Sequence, residues 1–145
     1  MNELGKERLL KLAAYLESGK LAHEKFNLGC FNSPNLNDMT DDVPEGVCHT
    51  YGCALGEMPR VDSEHWHWTR ATKSRGEPIL SCNGLNPLPG AMAYFDLPAY
   101  VCFALFYPVK FDDSFRHDLG FKPYDVSTDP ILVAQNIRTI VSKYD

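Results

Sequence analysis

No stretch of this sequence approaches the ~20 consecutive apolar residues that a membrane span requires. The longest apolar run, residues 99–107, is less than half that length and is bracketed by Pro98 and Pro108. A basic surplus is missing too. Fourteen Lys and Arg stand against 19 Asp and Glu, a formal net charge of -5, so direct binding of duplex DNA is not expected. There is no Gly-x-x-x-x-Gly-Lys-Ser/Thr loop, no Gly-x-Gly-x-x-Gly, no His-Glu-x-x-His and no Gly-x-Ser-x-Gly. Those absences remove the commonest NTPase, dehydrogenase, zincin and hydrolase readings. The five cysteines are odd in number and irregularly spaced, and Glu3, Lys6, Glu7, Arg8 and Lys11 break any apolar signal segment near the start. A reduced, cytoplasmic protein with free thiols, no membrane contact, no cofactor and no resident metal is therefore expected.

What is present is ordinary globular material. The 145 residues are 44% hydrophobic and 23% charged, which suits one domain over residues 1–145. A chain of this length buries roughly 68% of the surface it exposes when unfolded, so neither disulfide nor metal is needed to hold it. Leu9, Leu12, Ala13 and Leu16 recur at helical steps and predict a first helix over 4–18, stopped by Gly19. Residues 31–46 are turn-forming and acidic and read as a long surface loop that lacks the ligand pattern of a calcium loop. A short helix is expected from about Thr50 to just before Pro59. Trp66, Trp68 and Thr69 favour extended structure, Gly76 and Pro78 mark a turn, and Ile79 and Leu80 suit a second strand.

Residues 83–90 read as a turn-rich link, followed by a helical segment at 91–95. Asp96 is expected to cap a further helix, although the apolar run over 97–107 also suits a buried strand. Asp129 before Pro130 starts a final helix whose stripe is Val133, Ile137, Ile140, Val141 and Tyr144. The expected fold is mainly α, with four or five helices and a small β or irregular insert around 61–82.

Cys48-His49-Thr50-Tyr51-Gly52-Cys53-Ala54-Leu55-Gly56 resembles the Cys-Gly-Thr-x-x-Cys-Ala-x-Gly pattern of small, mostly uncharacterised phage, prophage and bacterial proteins, with His49 in place of the glycine. Phe26-Asn27-Leu28, Tyr94-Phe95-Asp96-Leu97, Leu105-Phe106 and the segment 128–144 are similar to further parts of that pattern. The resemblance implies an α-rich fold and a phage setting in a host cytoplasm. It implies no activity.

Three groups of residues carry candidate chemistry. Cys48 and Cys53, with His49 between them and His65 and His67 downstream, offer thiolate and imidazole ligands at the wide edge of zinc-knuckle spacing. They equally suit packing as small apolar side chains, or a reactive thiol at a helix start. The second group, His65-Trp66-His67-Trp68-Thr69-Arg70, holds both tryptophans and two of the five histidines. As a strand it would put imidazoles on one face and indoles on the other. Indole stacks on planar rings, and imidazole and guanidinium bind phosphate. Amides at a helix start near Thr50 would add anion donors. Thr50, His65, Trp66, His67, Trp68 and Arg70 are thus the expected ligand-binding residues, for a nucleotide or nucleotide-derived signal. The third is His67-Trp68-Thr69, which fits the His-x-Thr element of two-histidine phosphoesterases, but no second copy occurs.

The expectation is a small, non-catalytic, phage-type accessory protein. It would bind a host macromolecule or sequester a nucleotide-derived small molecule, as an antagonist of host defence. The alternatives are a phosphodiesterase or nucleotide-processing enzyme using His65 and His67, and a zinc-stabilised binding module.

Overall fold

The computed structural model describes residues 1–19, 25–26, 51–52, 54–70, 78–107, 113–124 and 129–144, with backbone alone described at 25–26, 51–52, 68–70 and 78–79. The loop 31–46, Thr50, Cys30, Cys48, His49 and Cys53 lie outside these residues. The first helix, α1 (Glu3–Glu17), opens on Asn2, whose side-chain oxygen accepts the Gly5 amide at 2.8 Å. That bond satisfies one of the amides a helix start leaves open. Leu9, Leu12, Ala13 and Leu16 form its buried stripe, and Gly19 turns the chain away at a φ of +75°.

Among the described residues, four strands follow in two pairs. β1 (Lys25–Phe26) runs parallel to β2 (Tyr51–Gly52), and β3 (Trp66–Arg70) pairs antiparallel with β4 (Pro78–Cys82). Between them, a 3-10 turn at Leu55–Glu57 runs into α2 (Met58–Val61). In the β3–β4 ribbon, Trp66 faces Cys82, and Trp68 stands opposite Leu80. Cys82 and Leu80 are buried, so this side of the ribbon meets the core.

α3 (Pro87–Phe95) and α4 (Ala99–Phe106) then meet at a sharp corner. Among the described residues no single helix is long and apolar enough to cross a membrane. α3 and α4 have that length and composition only together, and they are bent by 108°. α5 (Asp113–Asp118) and α6 (Pro130–Lys143) complete the chain. α6 lies along α1, with Val133, Ala134, Ile137, Ile140 and Val141 turned inward. Arg138 ties the two helices at the surface through Glu17, at 2.5 and 3.2 Å.

The C-terminal end of α4 is closed by a buried arginine. Arg116 donates from Nε to the Ala104 carbonyl at 2.8 Å, and from Nη2 to the Tyr107 carbonyl. It pairs with Asp113 at 2.6 Å, while Tyr124 donates to the Leu105 carbonyl at 2.9 Å. Carbonyls left open at a helix end are thereby satisfied away from water. The outer side of α4 is aromatic: Tyr100 and Phe103 are exposed, each in ring contact with a neighbour, Phe115 and Tyr107 respectively.

The architecture is mainly α with a small β insert. The differences from expectation have local causes. The helical turn expected from about Thr50 to before Pro59 lies at 55–61 and passes through Pro59, while 51–52 are extended. Proline is tolerated there because a first-turn amide has no partner within the helix. For the same reason Pro87 and Pro89 lie inside α3, not in a link. Asp96 does not cap α4. It ends α3 in a left-handed conformation, φ 55°, and Pro98 occupies the position before α4. The apolar run is a helix, α4. Tyr144, at the end of the α6 stripe, is exposed, and the described residues hold six α-helices where four or five were expected.

Candidate functional site

The β3–β4 ribbon is entered through a tight turn at the end of α2. Asp62 accepts the Glu64 amide on Oδ1 at 3.2 Å, and its own carbonyl accepts the Trp66 amide at 3.0 Å. This geometry brings His65 back over Asp62, with Nδ1 2.9 Å from Oδ2. The same Oδ2 accepts the phenolic hydroxyl of Tyr94, from α3, at 2.5 Å. A carboxylate only accepts hydrogen bonds, so His65 presents Nδ1–H to it. Nε2 is left with no hydrogen-bond partner among the described residues.

Tyr94 is the hub of the site. Arg8 of α1 lies over its ring at 4.0 Å from the centroid and donates from Nη1 to the Tyr94 carbonyl at 2.8 Å. The His65 ring stands 5.7 Å away, tilted, and Trp66 and Phe95 meet Tyr94 edge-on at 5.6 and 4.8 Å. Gly5 explains how α1 comes so close to α3. A Cβ there would collide with the Phe95 carbonyl, and glycine alone permits the approach. On the other side, a Cβ at Gly90 would stand 2.7 Å from the Cys82 Cβ, so α3 also sits directly on β4.

The electrostatics follow from this packing. Burial alone would raise the Asp62 carboxyl, but hydrogen bonds from Tyr94 and His65, the His65 charge and the Glu64 amide outweigh it. Its pKa is held below the ordinary value. Tyr94 is pushed above the usual phenol range by burial and then by its bond to Asp62. Burial also raises the Cys82 thiol, to about 11, and the Cys102 thiol, to about 12. Both are free thiols in apolar surroundings, and neither has the character of a nucleophile.

Asp62, Glu64 and His65 each place one ligand-type atom within 4.8 Å of the others. These are the described residues best able to hold a cation. Both Asp62 oxygens are already engaged, however, and Arg8 adds positive charge against the same tyrosine. The Asp62 carboxylate is thus already satisfied by protein donors. The zinc alternative built on Cys48 and Cys53 falls outside the described residues.

The expected ligand-binding residues separate. His65 is half-buried and belongs to the cluster. Trp66 is fully buried at 0% exposure, so its indole packs in the core and offers no stacking surface. This corrects the expectation for that residue. His67 is exposed and makes no hydrogen bond or ring contact among the described residues. Trp68 and Arg70 are placed only by register, opposite Leu80 and Pro78. Thr50 lies outside the described residues. Sequence reasoning missed Arg8, Asp62 and Tyr94. Asp62, three residues before His65 across a turn, carried a usable signal; the other two did not.

No family model, no curated protein and no solved structure matches this chain.

Proposed function

We propose that the chain is a small binding protein of phage type that sequesters a phosphate-bearing, nucleotide-derived small molecule at the Arg8–Tyr94–His65 cluster. The observation that carries the reading is the state of Arg8. Its guanidinium is fixed by Tyr94, through the ring face and one carbonyl, yet it forms no ion pair among the described residues. A half-buried arginine held in place with open N–H donors is suited to a planar, bidentate grip on phosphate. His65, steadied by Asp62, stands on the same tyrosine and offers a second polar contact. The phage-type setting rests on the likeness of residues 48–56 and adds nothing to the chemistry.

Titration calorimetry with adenosine and guanosine monophosphates and with inorganic phosphate tests the proposal. Binding is expected to weaken at least tenfold in Arg8→Gln, since a charge-assisted hydrogen bond contributes about 1.5–3 kcal/mol. If the wild-type protein generates no heat with any of the three, the reading is wrong.

A hydrolytic reading has one observation in its favour: the Asp62–His65 pair leaves Nε2 without a hydrogen-bond partner among the described residues, as an oriented general base requires. Incubation with phosphodiesters, with products separated by chromatography, decides it. Product formation that disappears in His65→Ala would replace the binding proposal.

A further inference from the structure

Asn83-Gly84 is the only Asn-Gly pair in the sequence, and both residues are exposed where the chain leaves β4 for α3. They form a two-residue loop. The Leu85 amide donates to the Cys82 carbonyl at 2.9 Å, and the Cys82 amide donates to the Leu85 carbonyl at 3.0 Å. The Asn83 amide donates to the His65 carbonyl at 2.9 Å. Both loop residues have positive φ, 51° at Asn83 and 82° at Gly84, which marks a type I′ turn. From this geometry we infer that Asn83 is a site of spontaneous deamidation in the folded protein, reached by the flip of one peptide plane.

The step is an intramolecular acyl transfer. Hydroxide takes the proton of the Gly84 amide, and the nitrogen bonds to the Asn83 Cγ. The Cγ–Nδ2 bond breaks, ammonia leaves, and a five-membered succinimide ring is closed. Water then opens the ring. Cleavage of the bond to Cγ gives aspartate. Cleavage at the main-chain carbonyl gives isoaspartate, whose chain runs through the former side chain. Glycine leaves the attacking nitrogen uncrowded, and a Cβ built at Gly84 would meet nothing within 4 Å, so water has access.

Ring closure requires the Gly84 nitrogen to eclipse the Asn83 Cβ about the Cα–C bond, which for an L residue means ψ of about −120°. A type I′ turn has ψ of about +30° there and holds the nitrogen on the far side from Cβ. A type II′ turn, with φ of about +60° and ψ of about −120°, presents it correctly. The Asn83 φ of 51° already suits the second turn. Only ψ of Asn83 and φ of Gly84 must change, and glycine adopts either sign of φ. None of the three loop hydrogen bonds uses the peptide between residues 83 and 84, so the flip leaves them in place. Both turn types match the twist of a hairpin. Isoaspartate, by contrast, adds a main-chain atom to a loop built for two residues, and it brings a new carboxylate to the junction of β4 and α3.

The experiment incubates the wild-type protein in mildly alkaline buffer beside a reduced synthetic peptide of residues 79–88. Aspartate and isoaspartate at position 83 are separated and quantified by peptide mapping with mass spectrometry. If global unfolding were required, the protein would lag the peptide by at least about a thousandfold. Through the flip it lags only by the fraction of turns in the reactive form, on the order of tenfold. Both products are expected at position 83, at a rate that does not change with urea below the unfolding transition. A lag of more than about a hundredfold, a rate that climbs with sub-denaturing urea, or aspartate without isoaspartate overturns the inference.

Discussion

Replacing Tyr94 with phenylalanine removes one oxygen and leaves every ring contact available. The Arg8 guanidinium keeps its aromatic face at 4.0 Å, and Trp66 and Phe95 keep their edge-on packing. What goes is the 2.5 Å bond to Asp62. A hydrogen bond to a charged acceptor contributes about 1.5–3 kcal/mol net. Asp62 retains His65 and the Glu64 amide, so the lower end, about 1.5–2 kcal/mol, is expected. The effect has a pH signature whose sign is fixed. The Asp62 carboxyl is depressed in the folded protein. Its stabilisation is present above the unfolded carboxylate range, near pH 3.9, and is lost as pH falls through the folded value. Without the phenol, the folded value moves back up toward the ordinary one, so the variant has less of this stabilisation to lose. Urea denaturation from pH 7 down to about pH 3 should show a gap between wild type and variant that narrows with acid. A cost below ~0.5 kcal/mol at neutral pH, or a gap that does not change with pH, would mean that the hydroxyl and Asp62 are not bonded.

Five further substitutions probe the frame that holds the site. Leu105→Ala, in a fully buried position, should cost about 2–5 kcal/mol. Phe103→Ala, on the exposed side of the same helix, should cost less than half as much by the same chemical denaturation. Gly5→Ala should destabilise by about 1–3 kcal/mol despite alanine's better helix propensity, because the new methyl meets the Phe95 carbonyl; a stabilised variant would contradict the close approach of α1 to α3. Trp66 is fully buried, and its Nε1–H has no hydrogen-bond partner among the described residues. Trp66→Phe should therefore cost less in thermal unfolding than Trp66→Leu by about 1 kcal/mol or more, since each removes the orphaned donor but only phenylalanine keeps an edge for Tyr94.

The parts of the fold legible in the sequence are those written in a short period. The Leu9–Leu12–Ala13–Leu16 stripe, the Asp129–Pro130 start and the alternation through Trp66 and His67 each express a contact between an element and a core close by in the chain. Prolines misled where one rule covered two situations. Pro59, Pro87 and Pro89 mark helix starts here, and the same residues end helices elsewhere. Asp96 misled for a similar reason: a side chain suited to capping the next helix was used to turn the chain out of the previous one. The site was the least legible part. Asp62 to His65 is a local pair, but Arg8 lies 86 residues from its partner Tyr94, and Tyr94 lies 32 from Asp62. No periodicity spans such distances. Only the packing of α1 and α3 on the ribbon brings these residues together.

That assembly is also what distinguishes the cluster from an ordinary structural ion pair. Arg8 and Asp62 carry opposite charges and press against the same tyrosine, yet they are not paired with each other. Direct pairing would be the simplest way to stabilise two half-buried charges. Instead the phenol and the imidazole occupy the carboxylate, and the guanidinium is held by a ring face and a carbonyl. The effect is that, among the described residues, the guanidinium keeps N–H donors without a partner and the imidazole keeps Nε2 without one. Folding alone gains nothing from leaving those donors unfilled. On the binding reading proposed above, this asymmetry makes the junction of α1, the ribbon and α3, and not the indole pair that dominates the sequence, the expected place for an anion to dock.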